Sequence, residues 1–379
     1  MTGDAPPTVS AALRTGFFPS VVAWQRRSGR HGLPWQGTRD PYRVWLSEVM
    51  LQQTQVRTVL GYYERFLRRF PDVHALAAAT LDEVLALWSG LGYYRRARHL
   101  HACAQTVVAQ HGGRFPTSAA ALATLPGIGA STAAAIAAFC FGERCSILDG
   151  NVRRVLARVL ADDRDPAHPA TQRAWWTTAQ ALIPDDVTAA EMAAYTQGLM
   201  DLGATVCTRT RPRCDVCPVA ALCAGQASGA PTAWPRRSPR GARRREAWCL
   251  PLYVRSDGAW WLQRRPDRGI WAGLWAPPVL AQVEVLEDWL RAQPALAAEW
   301  WPAFDHTLTH RDLRLQPLLC RVPTDPTDSA AGPAPAAPGV VADQGAWWSP
   351  SAALSLGLPA PVRAWLQTLV SGSRTSNSR

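Results

Sequence analysis

The chain has 379 residues and a formal net charge of +11, so it has room for two or three packed domains and favours a polyanionic partner over an acidic small molecule. All 40 of its Lys and Arg residues are arginine, which excludes any mechanism that forms a Schiff base on a side-chain amine. No run approaches the roughly 18 apolar residues of a membrane span, residues 1–10 do not read as a secretory signal, and the nine cysteines are odd in number, so a protein of the reducing cytoplasm is expected.

From about residue 17 to 223 the pattern is helical. Asp40-Pro41 is an N-cap followed by proline at the first helical position, after which Val44, Trp45, Val49 and Met50 recur at helical spacing. Glu48 sits among these apolar residues, where desolvation raises a carboxyl pKa as a general acid requires. Thr80 and Glu83 form a capping box ahead of Val84, Leu85, Leu87 and Trp88, and Gly90 ends that helix. Short helices in succession predict an orthogonal bundle. Leu125-Pro126-Gly127-Ile128-Gly129-Ala130-Ser131 leads into a small-residue helix at 132–139. Its glycines let successive amides point outward at a helix N-terminus, the phosphate cradle of helix-hairpin-helix DNA-binding modules. Asp149 follows apolar Ile147 and Leu148 and precedes Gly150, a carboxylate at a helix entrance.

Cys207, Cys214, Cys217 and Cys223 follow the pattern C-x6-C-x2-C-x5-C. Four soft thiolates this close suit zinc or an iron-sulfur cluster, and the spacing alone leaves both open. Residues 224–247 turn to Gly, Ser, Pro and Arg, including Arg236, Arg237, Arg240, Arg243, Arg244 and Arg245, and read as a linker that is either solvated or a phosphate strap. Beyond it, residues 248–254 and 259–264 read as strands joined at Ser256-Asp257-Gly258. A helix at 283–292 and a strand at 313–322 follow, giving an α+β part with a low-complexity loop at 323–338.

Glu48 within Leu46-Ser47-Glu48-Val49-Met50-Leu51-Gln52-Gln53-Thr54-Gln55, the hairpin, Leu148-Asp149-Gly150-Asn151-Val152 and the four-cysteine loop occur in an order and spacing that resemble the MutY family of adenine DNA glycosylases. That family lies within the helix-hairpin-helix, endonuclease III-like superfamily, and the resemblance covers about residues 17–369. It implies a mainly α catalytic region at 1–226, with a six-helix module at about 36–145 and a terminal-helix and iron-sulfur module at 1–35 plus 146–226. A basic linker at 227–246, a MutT/Nudix-like α+β domain at 247–370 that recognises 8-oxoguanine, and a disordered tail at 371–379 follow. It also implies one [4Fe-4S] cluster per chain on the four cysteines. The implied partner is double-stranded DNA with adenine opposite 8-oxoguanine or guanine, bound by a monomer with no membrane association.

The resemblance further implies that Glu48 protonates adenine at N7 and helps activate water, that Asp149 stabilises the sugar cation, and that Asn151 holds that centre in place. Gln53 and Tyr93 would wedge into the duplex as the base leaves the stack. Gly127, Gly129 and Ser131 of the hairpin and Arg209, Arg211 and Arg213 between the first two cysteines would contact DNA. Trp35, Gln197 and His31 would line the adenine pocket. Ser131 stands where bifunctional relatives carry a Schiff-base lysine, so adenine release without efficient strand cleavage is implied. No R-E-x-x-E-E pattern follows Gly273-Leu274-Trp275, so the C-terminal domain would read rather than hydrolyse, with Thr309 and His310 in the loop where the family has Phe-Ser-His. Two other readings carry over from the residues: a lyase acting on oxidised pyrimidines, and a noncatalytic, metal-stabilised DNA-binding protein.

Overall fold

A computed structural model describes residues 9–236, 242–294, 296–322 and 334–372. The chain divides into two compact units, 1–77 with 102–240 and 78–101 with 241–379. Segment 78–101 thus groups with the C-terminal residues, which sequence boundaries drawn near 226 and 246 do not reveal.

The first unit is helical, with no strand among its described residues. Helix α1 (Ala11–Ser28) is capped by Ser10, α2 (Pro41–Leu51) by Asp40, whose side chain accepts the Tyr42 amide, and α3 (Val56–Arg69) and α4 (Val73–Ala78) follow. Helix α5 (Leu81–Trp88) and the start of α6 (Arg95–His111) lie in the second unit. The first unit resumes through α7 (Ala119–Leu122), α8 (Ala130–Ile136), α9 (Gly150–Val159), α10 (Pro169–Ala181), α11 (Ala189–Asp201) and α12 (Ala224–Ala227). Phe17, Trp175, Tyr195, Leu156 and Leu199 are almost wholly withdrawn from water in its core, each stabilising the fold by about 2–3 kcal/mol relative to exposure.

Residues 224–236 differ from the expected loose linker. Arg158 Nε donates to the Trp234 carbonyl (3.0 Å), and Trp234 Nε1 and Arg236 Nε donate to Asp163 Oδ1 (2.9 and 2.7 Å). A buried guanidinium and an indole draw this stretch back onto the helices despite its Gly/Ser/Pro composition. Arg237 and Arg240 lie outside the described residues.

The second unit carries a seven-stranded mixed sheet among its described residues, built from β1 (Arg244–Val254), β2 (Trp260–Arg264), β3 (Trp275–Ala276), β4 (Ala297–Trp300), β5 (Phe304–Thr307), β6 (Arg311–Arg321) and β7 (Gly345–Trp348). The order is β3-β2-β1-β6-β4, with β5 on β6 and β7 on β2. Parallel pairing of β1 with β6 runs from Arg244↔Arg311 to Val254↔Arg321, and this ladder pulls the arginines at 244–245 into a strand that composition assigns to the linker. The turn at 255–258 joins β1 to β2 as expected, with Asp257 Oδ1 accepting the Ala259 amide (3.0 Å). Helices α13 (Val283–Arg291), α14 (Pro350–Ser355) and α15 (Ala360–Ser371) complete the unit. The capping box of α5 is formed in full by Thr80 and Glu83. Beyond α5, Ser89 Oγ donates to the Leu358 carbonyl (2.9 Å) and accepts Arg363 Nε (3.1 Å). Most of the loop at 323–338 and of the tail at 371–379 lies outside the described residues. No helix among those residues is long and apolar enough to cross a membrane.

Candidate active site and cysteine cavity

The first unit opens into a cleft of about 1670 Å³ whose lining includes Glu48, Asp149, Asn151, Trp35 and Gln197. Glu48 projects from α2 beside buried Ser47 and Trp45; it keeps some surface in the cleft, yet protein surrounds it on nearly every side. Burial, and then the negative charge of Asp149, pushes its pKa from 4.5 up to about 8. Glu48 therefore holds a proton at neutral pH. Asp149 lines the same cleft. It is the N-cap of α9, and its Oδ1 accepts the amides of Asn151 (2.9 Å) and Val152 (2.8 Å) at the end of a helix that favours negative charge.

Asn151 completes this bracket. Its Nδ2 donates to Asp149 Oδ2 (3.4 Å), and its Oδ1 accepts Arg154 Nη2 (2.9 Å). Arg154 also donates through Nη2 to the Gly203 carbonyl (2.6 Å) and through Nε to the Cys207 carbonyl (2.8 Å), so one side chain ties the cleft carboxylate to the first cysteine of the loop. A Cβ at position 203 would lie 2.5 Å from Asn151 Cβ, so only glycine permits this approach.

Gln53 and Tyr93 share an unusual backbone. Their φ values of +58° and +48° place two non-glycine residues in the left-handed region, at a cost of about 1–2 kcal/mol each. Gln53 lines the cleft. Tyr93, 46% exposed, lies on the loop between α5 and α6. Trp88 Nε1 donates to the Gly92 carbonyl (3.1 Å), Arg96 Nη2 donates to the Leu91 and Gly92 carbonyls (3.3 and 3.4 Å), and the Arg96 guanidinium lies over the Tyr93 ring (5.5 Å). Neither strained position is legible from propensity. In the hairpin, Gly127 has φ +75° and Gly129 caps α8. Ser131 also lines the cleft, but its Oγ accepts the Leu148 amide (3.1 Å) and so braces the segment carrying Asp149.

The four cysteines of the loop line one cavity, walled by Val155, Val159, Leu202, Val206 and Val219. Arg158, 2% exposed, donates to Cys207 Sγ (3.2 Å) and to the carbonyls of Thr208 (2.7 Å) and Arg209 (2.9 Å). Four soft donors around an apolar-lined space, with a buried cation beside one of them, fit a negatively charged thiolate cluster. The side chains of Arg209, Arg211 and Arg213 are exposed on the same loop, with Arg213 Nη2 donating to the Thr205 carbonyl (2.9 Å).

Trp35 and His31 also line the cleft: buried Trp35 packs edge-on against Tyr63 (5.3 Å), and exposed His31 has its Nε2 3.1 Å from the Gln25 carbonyl. Gln197 Nε2 donates to Asp201 Oδ1 (2.9 Å). Asp201 and its partner Arg30 were not singled out by sequence; they are 171 positions apart, and no local pattern pairs them. In the second unit, Thr309 and His310 are exposed on the turn between β5 and β6, where the His310 carbonyl accepts the Arg244 amide (3.3 Å).

The HhH-GPD superfamily base excision DNA repair protein family matches residues 46–181, and the NUDIX domain family matches residues 250–368. The structure of a thermostable thymine-DNA glycosylase superposes with TM-score 0.52 at 26% identity, covering 58% of this chain and 100% of that one. The fold and cleft thus define a helix-hairpin-helix base excision DNA glycosylase with an appended Nudix-type domain. Adenine DNA glycosylase of Buchnera aphidicola subsp. Baizongia pistaciae (strain Bp) is 33% identical over 80% of this chain and 85% of the relative, and that of Mus musculus is 35% identical over 83% and 72%. The chain belongs to the MutY-like adenine DNA glycosylases, hydrolases of base excision repair.

Proposed function

We propose that the chain is a monofunctional glycosylase that, as a cytoplasmic monomer, removes adenine opposite 8-oxoguanine or guanine from duplex DNA. The observation that carries this reading is the pair of cleft carboxylates, Glu48 pushed up to about 8 and Asp149 held as a helix cap. Adenine leaves deoxyribose poorly. Glu48 gives its proton to N7, the C1′–N9 bond breaks with its electron pair going to adenine, and Asp149 offsets the positive charge that develops on the sugar. Water then adds to C1′ and returns a proton to Glu48. Asn151 and the amides of 151 and 152 keep Asp149 aimed.

A chain without lysine offers no side-chain amine to attack the abasic sugar, so reaction stops at base loss. Gln53 and Tyr93, each held in strained backbone, act on the duplex as the base leaves the stack. Gly127 and Gly129 present amides to phosphate, and Arg209, Arg211 and Arg213 add charge-assisted contacts. Trp35, Gln197 and His31 line the adenine pocket, and Thr309 with His310 reads the opposite base. Cys207, Cys214, Cys217 and Cys223 hold one [4Fe-4S] cluster. The support for this is that all four thiols line one apolar cavity with the Arg158 guanidinium beside Cys207, a donor set that would suit an iron-sulfur cluster. The cluster's contribution is to brace the arginine-bearing loop.

The test is a duplex with adenine opposite 8-oxoguanine, guanine or thymine, assayed with and without hot alkali. Alkali-dependent breaks opposite 8-oxoguanine and guanine, and none opposite thymine, are expected. Cleavage without alkali contradicts the monofunctional reading, and no base loss turns the reading toward a noncatalytic DNA-binding protein.

A further inference from the structure

Asp201 is completely buried at the end of α11, behind the cleft, and takes three donors. Arg30 contributes its backbone amide to Oδ2 (2.8 Å) and its Nε to Oδ1 (2.6 Å), and Gln197 Nε2 donates to Oδ1 (2.9 Å). A carboxylate salt-bridged to a guanidinium only accepts hydrogen bonds. The Gln197 amide therefore has one allowed orientation, nitrogen toward Asp201 and oxygen away from it. That Oε1 takes no donor from the described residues, and Gln197 and Arg30 both line the cleft.

Resting on the adenine-pocket reading above, we infer that Asp201 is a positioning residue that sets base choice by locking Gln197 with its carbonyl oxygen facing the base. Adenine carries an amino group at position 6, a donor that this oxygen accepts. Hypoxanthine and guanine carry a carbonyl there, an acceptor that meets the same oxygen with lone pair against lone pair. The choice is thus made by a side chain that touches no substrate.

Asp201→Asn makes a sharp test. Arg30 Nε and Gln197 Nε2 share one oxygen of Asp201, Oδ1, and the Arg30 amide takes the other, so an Asn NH₂ replaces a needed acceptor whichever way it lies. The ion pair with Arg30 is lost and position 201 no longer offers acceptors only, so the Gln197 amide is released from its single orientation and is free to present its NH₂ to the pocket. Single-turnover excision of adenine and of hypoxanthine, each opposite 8-oxoguanine, is measured for the wild type, Asp201→Asn and Gln197→Ala, with folding checked by circular dichroism. The adenine-to-hypoxanthine rate ratio is expected to fall by at least about tenfold in Asp201→Asn and to fall also in Gln197→Ala, the double variant showing no further loss. Equal slowing of both bases, with an unchanged ratio, overturns the inference. If Asp201→Asn does not fold, the Gln197→Ala ratio decides, and an unchanged ratio again overturns it. Failure of the wild type to release adenine opposite 8-oxoguanine instead defeats the underlying reading, a separate outcome.

Discussion

Glu48 and Asp149 lie in a cleft where protein sets their environment, one desolvated by burial and the other capping α9, whereas Thr309 and His310 stand on an exposed turn fixed by backbone bonds, Leu308 N to Arg311 O (2.8 Å) and Arg244 N to His310 O (3.3 Å). Proton transfer needs a pKa matched to its task, and low-dielectric surroundings supply it. The proposed reading of the opposite base by Thr309 and His310 needs reach, which an exposed turn supplies. Substitution should therefore be severe and pH-dependent in the cleft and mild on the turn.

The largest effect expected is at Glu48. Glu48→Gln should lower single-turnover adenine release by about 10³-fold or more while duplex binding, measured by gel shift, persists; excision within tenfold of the wild type would break the contrast. The same variant has a stability signature. Because the folded-state pKa of Glu48 is raised from 4.5 to about 8, the folded protein binds more protons than the unfolded chain between those values, so its stability falls as pH rises through that window. Glu48→Gln should thus raise Tm at pH 9 relative to the wild type, by roughly 3–5 kcal/mol in equivalent stability, and change it little at pH 4.

Next in size is Arg158→Ala, which leaves the Trp234, Thr208 and Arg209 carbonyls and Cys207 Sγ without their donor. A loss of about 3 kcal/mol or more, with iron content per chain falling in parallel, is expected in thermal melts and metal analysis; an unchanged melt and iron content would remove the brace from the cysteine cavity. Tyr93→Ala should slow excision by about tenfold through weaker base flipping, read as a lower rate at saturating protein. The smallest change belongs to the turn. Thr309→Ala should shift the preference for 8-oxoguanine over guanine by a few-fold, about 1 kcal/mol, with the rate on adenine opposite guanine unaltered.

The same contrast governs how much could be read in advance. Asp40-Pro41, the Thr80–Glu83 capping box and the turn at 255–258 were legible because their partners lie within four residues. Glu48, Asp149 and the four cysteines stood out as candidates through short motifs, and they lie in one cleft and one cavity. Arg154 reaches Cys207 across 53 positions and Arg30 reaches Asp201 across 171, so neither link leaves a local pattern. Strands β3 to β5 and β7, of two to four residues each, were too short for a period-two signal. The grouping of 78–101 with the C-terminal unit rests on contacts such as Ser89 with Leu358, 269 positions apart.

The most direct measurement is the pH dependence of single-turnover adenine release opposite 8-oxoguanine, from pH 5.5 to 10. If the buried Glu48 carries the proton, the rate holds up to about pH 8 and then falls about tenfold per pH unit. A rate that stays level or rises through pH 9 would contradict proton donation by Glu48.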